Sequence, residues 1–177
     1  MRERKFALLD RDGTIIVDKV YLSEPDGIEF ADGAIEGMRL LRDAGYTLLL
    51  VTNQSGIARG YFDEAALNRI HVRLEELLKE QGIELAAIYY CPHGPDDGCD
   101  CRKPAPGMIE AAMRDFGFAP GQAIVIGDSD ADMGLAEAAG LPGLRIGEGE
   151  GRFPNFLEAA RYACRLFEGE RKDQACM

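Results

Sequence analysis

The stretch Phe6-Ala7-Leu8-Leu9-Asp10-Arg11-Asp12-Gly13-Thr14 is an apolar run that stops abruptly at two carboxylates two residues apart. Phe6 to Leu9 carries no polar alternation, the pattern of a strand buried on both faces of a parallel sheet. Asp10 and Asp12 then fall just past its carboxyl end. In an extended chain residues i and i+2 point to one side, so both carboxylates can face one crevice. Two such groups repel unless a cation lies between them or one holds a proton. Gly13 permits a sharp turn directly after them. Taken alone, D-x-D-G is also what a polar turn leaving a strand looks like, so the remaining motifs must decide its meaning.

The same alternation of buried strand and polar end recurs down the chain. Thr47–Val51 predicts a second strand that ends in Thr52-Asn53-Gln54-Ser55-Gly56, and Ala86–Tyr90 a third that delivers Cys91. Ala123–Ile126 predicts a fourth, running into Gly127-Asp128-Ser129-Asp130-Ala131-Asp132, and a short fifth lies near Leu144–Ile146. Helical periodicity fills the gaps. Asp32-Gly33 opens a helix with Ile35, Met38, Leu40 and Leu41 on one side and an αL cap at Gly45. Asp63 is the expected N-cap of the next, whose Leu67, Ile70, Leu74 and Leu77/Leu78 recur up to Gly82. Further helices are expected from about Pro106 to Phe116, up to Gly140, and from Phe156 to Phe167, with a frayed charged tail from about Gly169. Ile15 to Phe30 is long for a loop, with Pro25-Asp26-Gly27 as a turn signal. Gly147 to Gly151 reads as a flexible surface loop, because it has no strand-to-helix context and carries acidic side chains. His71, alone on its helix, reads as a packing residue before it reads as a catalyst.

Strands alternating with helices define a doubly wound, Rossmann-like α/β fold with a parallel sheet. Ligands of such sheets bind outside the carboxyl ends of the strands. Asp10, Thr52, Cys91 and Asp128 all fall at those ends, so the polar groups converge on one edge. The 177 residues, 46% hydrophobic, suit a single domain over 1–177. A net charge of -11 disfavours nucleic acid and anionic membranes as partners, and an anionic small-molecule substrate would need local cations. The charged first residues and the short apolar run after them offer no signal or membrane span, so a cytoplasmic location is expected; a monomer is expected as well, though no motif in the sequence bears on it. Five cysteines in such a chain suit thiols or metal ligands better than a disulfide frame.

Asp10, Asp12 and Asp128 on one crevice offer hard oxygen ligands suited to Mg²⁺ and a substrate phosphate. Asp10 can then attack phosphorus to give an aspartyl-phosphate, with Asp12 as the acid that protonates the leaving alcohol and the base that activates water. Thr52 can bind phosphoryl oxygens, and Lys103 supplies a fixed positive charge where negative charge spreads. Asp132 reads equally as helix-terminal support or as a direct participant.

The loop from Cys91 to Cys101 holds Cys91, His93, Cys99 and Cys101. Three thiols and an imidazole complete a tetrahedral zinc shell with no open position, so Zn²⁺ there is structural. A disulfide, or simply reduced thiols, are the competing readings. Metal binding would order a loop so rich in Gly, Pro and Asp, and so aim Arg102 and Lys103, which follow the last ligand directly. Cys164 and Cys176 read as ordinary thiols.

Together Asp10-Arg11-Asp12-Gly13-Thr14, Thr52-Asn53, Lys103, and Gly127-Asp128 with Asp132 resemble, in order, the four motifs of the haloacid-dehalogenase superfamily of phosphatases. The Cys-Pro-His and Cys-x-Cys strings with Arg102-Lys103-Pro104 are similar to two of its groups, the histidinol-phosphate phosphatases and the heptose 1,7-bisphosphate 7-phosphatases. Thr52 to Gly60 and Pro104 to Met108 look like the heptose group. The resemblance implies a fold without a large cap domain, Asp10 as nucleophile, Asp12 as acid/base, and Mg²⁺ on Asp10, the Asp12 carbonyl and Asp128. It implies substrate contacts from Asp18 to Tyr21, from Thr52 to Ser55 (thus Asn53, Gln54 and Ser55), and from Arg102. Ser129 stands at a substrate-contact position where some relatives carry Lys. The activity implied is removal of the C7 phosphate of a heptose bisphosphate in nucleotide-activated heptose and lipopolysaccharide biosynthesis, with histidinol phosphate as the alternative substrate. A receiver-like signalling domain would want its acceptor Asp where this chain has Thr52, and a zinc-loop interaction module leaves Asp10, Asp12, Lys103 and Asp128 unexplained.

Overall fold

The computed structural model describes residues 4–174, with side chains through Leu166. Five strands, β1 (Lys5–Leu9), β2 (Tyr46–Asn53), β3 (Ala87–Cys91), β4 (Ala123–Gly127) and β5 (Gly143–Arg145), form one sheet of order β3-β2-β1-β4-β5. Every pairing is parallel, as the continuous apolar runs require. The helices are α1 (Ala34–Asp43), α2 (Glu64–Glu80), α3 (Gly107–Phe116), α4 (Asp130–Ala139) and α5 (Phe156–Gln174).

Strand residues alternate between the two faces. Ala7, Leu9, Leu48, Leu50, Ile124 and Ile126 pack with Met38 and Leu41 of α1, Ile70 and Leu74 of α2, and Phe156 and Ala159 of α5. Phe6, Leu8, Leu49, Val51 and Val125 pack on the other face with Met108 and Ile109 of α3 and Leu135 of α4. Phe6 anchors that second layer, stacked on Phe118 at 4.3 Å and edge-on to Phe116 at 5.9 Å.

The expected caps are present. Asp63 accepts from the Ala66 amide at 2.7 Å, while Gly117 and Gly140 close α3 and α4 in the αL conformation. On α2, Leu78 is buried and Leu77 half-buried. Ile15 to Phe30 remains irregular apart from a 3-10 turn at Pro25–Gly27, held by bridges from Ile16 to Asp12 and to Phe30. The last helix continues past Phe167, where its apolar stripe was expected to end, because the charged residues that follow are mostly good helix formers. The tail expected to fray from Gly169 lies outside the residues whose side chains are described.

Because β1 is central, the chain leaves it for β2 and β3 on one side and returns for β4 and β5 on the other. The crevice between β1 and β4 is thus the topological switch point, where open α/β sheets take their ligands. The Asp10 amide donates to the Ile126 carbonyl at 3.0 Å and carries the pairing to the lip of that crevice.

Candidate active site

Asp10 ends β1, Asp128 follows β4, and Asp132 sits in the first turn of α4. Their carboxylates converge to within 4.8 Å of one another. Two glycines allow this approach. A Cβ on Gly13, which has φ +78°, would lie 2.3 Å from Asp128 Oδ2, and one on Gly127 would lie 2.3 Å from Asp132 Cγ. Thr14 Oγ1 donates to Asp128 Oδ1 at 3.5 Å, and Arg145 Nε of β5 donates to the Asp128 carbonyl at 3.2 Å.

Lys103 enters this acidic group from the side of the cysteine loop. Its ammonium is buried and donates to Asp10 Oδ1 at 2.7 Å, Asp132 Oδ1 at 2.7 Å and the Val51 carbonyl at 3.0 Å. All three of its protons are therefore directed. Burial opposes its charge, but Asp10 and Asp132 outweigh that effect and hold Lys103 above its ordinary pKa. Burial pushes Asp10 up to about 7; Lys103 pulls the other way, and the Asp132 charge adds to the rise. Asp128 is also raised, first by burial and then by Asp132. Such a set of hard, crowded oxygens is short of positive charge even with Lys103 in place, which is the donor chemistry a Mg²⁺ ion satisfies.

The other residues singled out in the sequence divide into those that line this cluster and those that hold it. Gln54 Nε2 donates to Asp12 Oδ2 at 3.0 Å and to Thr52 Oγ1 at 2.8 Å. Having accepted that bond, the Thr52 hydroxyl keeps its own proton free to donate. Asn53 bonds both backbone groups of Lys103, donating to its carbonyl at 3.2 Å and accepting from its amide at 3.0 Å. The Ser129 hydroxyl donates to Asp132 Oδ2 at 2.6 Å and accepts from the Asp132 amide at 3.2 Å, a reciprocal cap on α4. Asp132 is thus both cap and Lys103 partner. Arg102 Nη1 donates back to the His93 carbonyl at 3.2 Å. Ser55 is half-buried one residue beyond Gln54. Asp18 accepts from the Val20 amide at 2.8 Å, and the exposed Tyr21 ring lies 4.7 Å from that of Tyr61.

Sequence reasoning missed Arg11. It is 1% exposed and forks onto Asp12, with Nε to Oδ2 at 3.1 Å and Nη2 to Oδ1 at 3.1 Å. Its position between two acids at the end of a buried strand was the available signal, since an Arg there must be paired.

Cys91, His93, Cys99 and Cys101 gather into one cluster. Sulfur–sulfur separations run from 3.2 to 3.6 Å, and His93 Nδ1 lies 3.4 Å from Cys91 and 3.3 Å from Cys101. A disulfide needs about 2.05 Å, so these are not cystines. Zinc–sulfur bonds of about 2.3 Å imply tetrahedron edges of about 3.8 Å, close to what is seen. Burial, then the neighbouring thiols, pushes Cys91 up to about 12, a burden a bound cation removes. The loop is tied at both ends by backbone bonds: the Gln54 backbone amide donates to the Cys91 carbonyl at 2.7 Å, and the Gly107 amide to the Asp100 carbonyl at 3.0 Å.

The sheet order, the acids at the switch point and the buried lysine define a phosphatase-type hydrolase of the haloacid-dehalogenase class, and the HAD-hydrolase-like family matches residues 100–163. The D-glycero-beta-D-manno-heptose-1,7-bisphosphate 7-phosphatase of Pseudomonas aeruginosa is 44% identical over 149 residues, 84% of each chain. The alpha-anomer enzyme of Photorhabdus laumondii is 39% identical over 145 residues, 78% of this chain and 79% of that one. The crystal structure of D,D-heptose 1,7-bisphosphate phosphatase from B. bronchiseptica, complexed with magnesium and phosphate, superposes with a TM-score of 0.82 at 34% identity, covering 92% of this chain and 99% of that one. The chain belongs to the heptose 1,7-bisphosphate 7-phosphatase family of haloacid-dehalogenase-like hydrolases.

The raised Asp10 sets a pH signature. A carboxyl whose pKa rises from 3.8 unfolded to about 7 folded favours folding fully below 3.8, and that contribution is lost as pH climbs to about 7. Without added Mg²⁺, Asp10→Asn should therefore gain stability relative to the parent between pH 4 and pH 7, measured by urea denaturation at several pH values. Added Mg²⁺ should shrink the gap by stabilising the parent alone. A difference that does not vary with pH would contradict this electrostatic account.

Proposed function

We propose that the chain, as one domain over residues 1–177 acting as a cytoplasmic monomer, removes the C7 phosphate of D-glycero-D-manno-heptose 1,7-bisphosphate through an aspartyl-phosphate on Asp10. The observation that carries this reading is the Lys103 ammonium, 2.7 Å from Asp10 and 2.7 Å from Asp132, at the switch point of a chain so similar to enzymes named for that reaction. Among the described residues no helix is long and apolar enough to cross a membrane.

In this proposal an Asp10 oxygen attacks the C7 phosphorus and the bond to the C7 oxygen breaks. Asp12 gives its proton to that departing alkoxide, then takes one from the water that attacks the phosphoryl-aspartate and releases phosphate. Lys103 and the free Thr52 proton meet the equatorial phosphoryl oxygens, where charge spreads in the transition state. Asp10, the Asp12 carbonyl and Asp128 would hold Mg²⁺, which would supply the charge that lets a carboxylate approach a phosphate dianion. Asn53 and Gln54 serve by fixing Lys103, Thr52 and Asp12, and Ser129 serves through Asp132. Asp18, Tyr21 and Ser55 face the sugar. Arg102 meets the second phosphate, for which its planar, permanently charged fork is suited.

Zinc in the Cys91, His93, Cys99 and Cys101 cluster is structural in this proposal and fixes Arg102 and Lys103. Metal analysis should find about one tightly bound zinc per chain. Cys99→Ser should lower kcat although no cysteine touches substrate. Chelation of the zinc that leaves the rate unchanged would overturn the coupling.

Substrate choice is tested by kcat/KM for heptose 1,7-bisphosphate, both anomers, beside histidinol phosphate. The bisphosphate should be preferred, with heptose 1-phosphate as product. Histidinol phosphate carries an ammonium and an imidazole, to which a guanidinium gives no attraction. Arg102→Ala should cost the bisphosphate about 1.5–3 kcal/mol more than a monophosphate, the worth of a charge-assisted hydrogen bond. A preference for histidinol phosphate would overturn the substrate while leaving the chemistry at Asp10 intact.

A further inference from the structure

Behind Asp12 lies a buried polar chain that the reaction as described does not use. Arg11 gives its Nε and Nη2 protons to Asp12, and Nη2 also donates to Gln54 Oε1 at 3.1 Å. Its remaining nitrogen, Nη1, lies 3.3 Å from Nε2 of His71 on α2. A guanidinium has protons to give and no lone pair to accept with, so Nε2 is the acceptor and the ring proton sits on Nδ1. His71 is 6% exposed, and the Tyr90 ring of β3 stands edge-on to it at 6.0 Å. Burial, then the Arg11 charge, lowers the imidazole pKa to about 3, so it stays a neutral acceptor at any ordinary assay pH.

We propose that His71 is a positioning residue for the acid/base Asp12, acting through Arg11. Arg11 is 1% exposed, so its Nη1 is held away from bulk solvent when the imidazole is removed. A buried charged donor left without a partner is costly, so the guanidinium would turn toward another acceptor. Its two-pronged hold on Asp12 would turn with it. Gln54 shares that hold, because its Oε1 takes Arg11 and its Nε2 gives to both Asp12 and Thr52. His71 thereby sets the aim of the carboxyl that must meet the leaving oxygen, while the Asp10–Lys103 pair stands on contacts of its own.

The inference rests on Asp12 being the proton donor, and the test separates the two. A sugar phosphate expels a primary alkoxide and needs that proton; para-nitrophenyl phosphate expels a stable phenolate and does not. The quantity to measure is kcat/KM, which reports steps up to transfer of the phosphoryl group to Asp10 and so leaves out the later role of Asp12 as base. His71→Leu keeps the apolar volume and loses the acceptor; His71→Gln keeps an acceptor oxygen. With an acid/base group contributing about 10²–10⁴-fold, His71→Leu should lose roughly tenfold or more on the heptose bisphosphate and under about threefold on the aryl phosphate. His71→Gln should recover most of the lost rate. Should the leucine variant fail to fold, His71→Met against His71→Gln makes the same comparison. Equal losses on both substrates, or a glutamine variant as poor as the leucine one, would overturn the positioning role. If Asp12→Asn itself spares the sugar phosphate, the proton-donor reading fails instead.

Discussion

A single ammonium between two buried carboxylates sets the terms for the rest of this structure. Lys103 joins Asp10 at the end of β1 to Asp132 in α4, and takes its third partner from the Val51 carbonyl of β2. Removing the ammonium would leave both carboxylates uncompensated in the interior, a defect worth about 3–5 kcal/mol when a buried pair is broken. The same triad holds Asp10 in the switch-point crevice and keeps beside it the positive charge that phosphoryl transfer needs. Stability and chemistry therefore depend on the same atoms.

Most of the remaining architecture secures that lysine and makes room for its partners. Asn53 fastens the Lys103 backbone on both sides, and the thiol–imidazole cluster ends two residues before it in the chain. Gly13 and Gly127 admit the acids to distances that any Cβ would forbid. The Arg11 fork does for Asp12 what Lys103 does for Asp10, and it keeps the two acids in different surroundings. One carboxylate is buried among charges, and the other lies at the crevice wall, 24% exposed in its side chain. Two acids so close can take different roles only if their environments differ in this way.

The sheet was legible in the sequence because its inner strands β1 and β4 are buried on both faces and must be apolar throughout. Phe6–Leu9 and Ala123–Ile126 admit little other reading, and the residues that end them mark the site. The cysteine cluster was legible from ligand type and spacing. Side-chain partnerships were less so. Asn53 and Ser129 sit where substrate contacts were expected, yet their bonds go to Lys103 and Asp132, partners that depend on how loops cross in space. The pairing of Arg11 with His71 spans 60 residues of sequence and leaves no trace in local pattern. His71 reads in the sequence as a packing residue, and it does pack, against the Arg11 guanidinium as well as the Tyr90 ring.

The central claim is that the crevice turns Asp10 into a nucleophile while Lys103 neutralises what it becomes. It is tested most directly by rapid mixing of enzyme, Mg²⁺ and heptose bisphosphate, followed by an acid quench and mass spectrometry of the peptide that carries Asp10. The account predicts a phosphoryl adduct on Asp10 that builds up further in Asp12→Asn, where hydrolysis lacks its base. Full turnover with no adduct on that peptide in either protein, or an adduct mapped to another side chain, would contradict it.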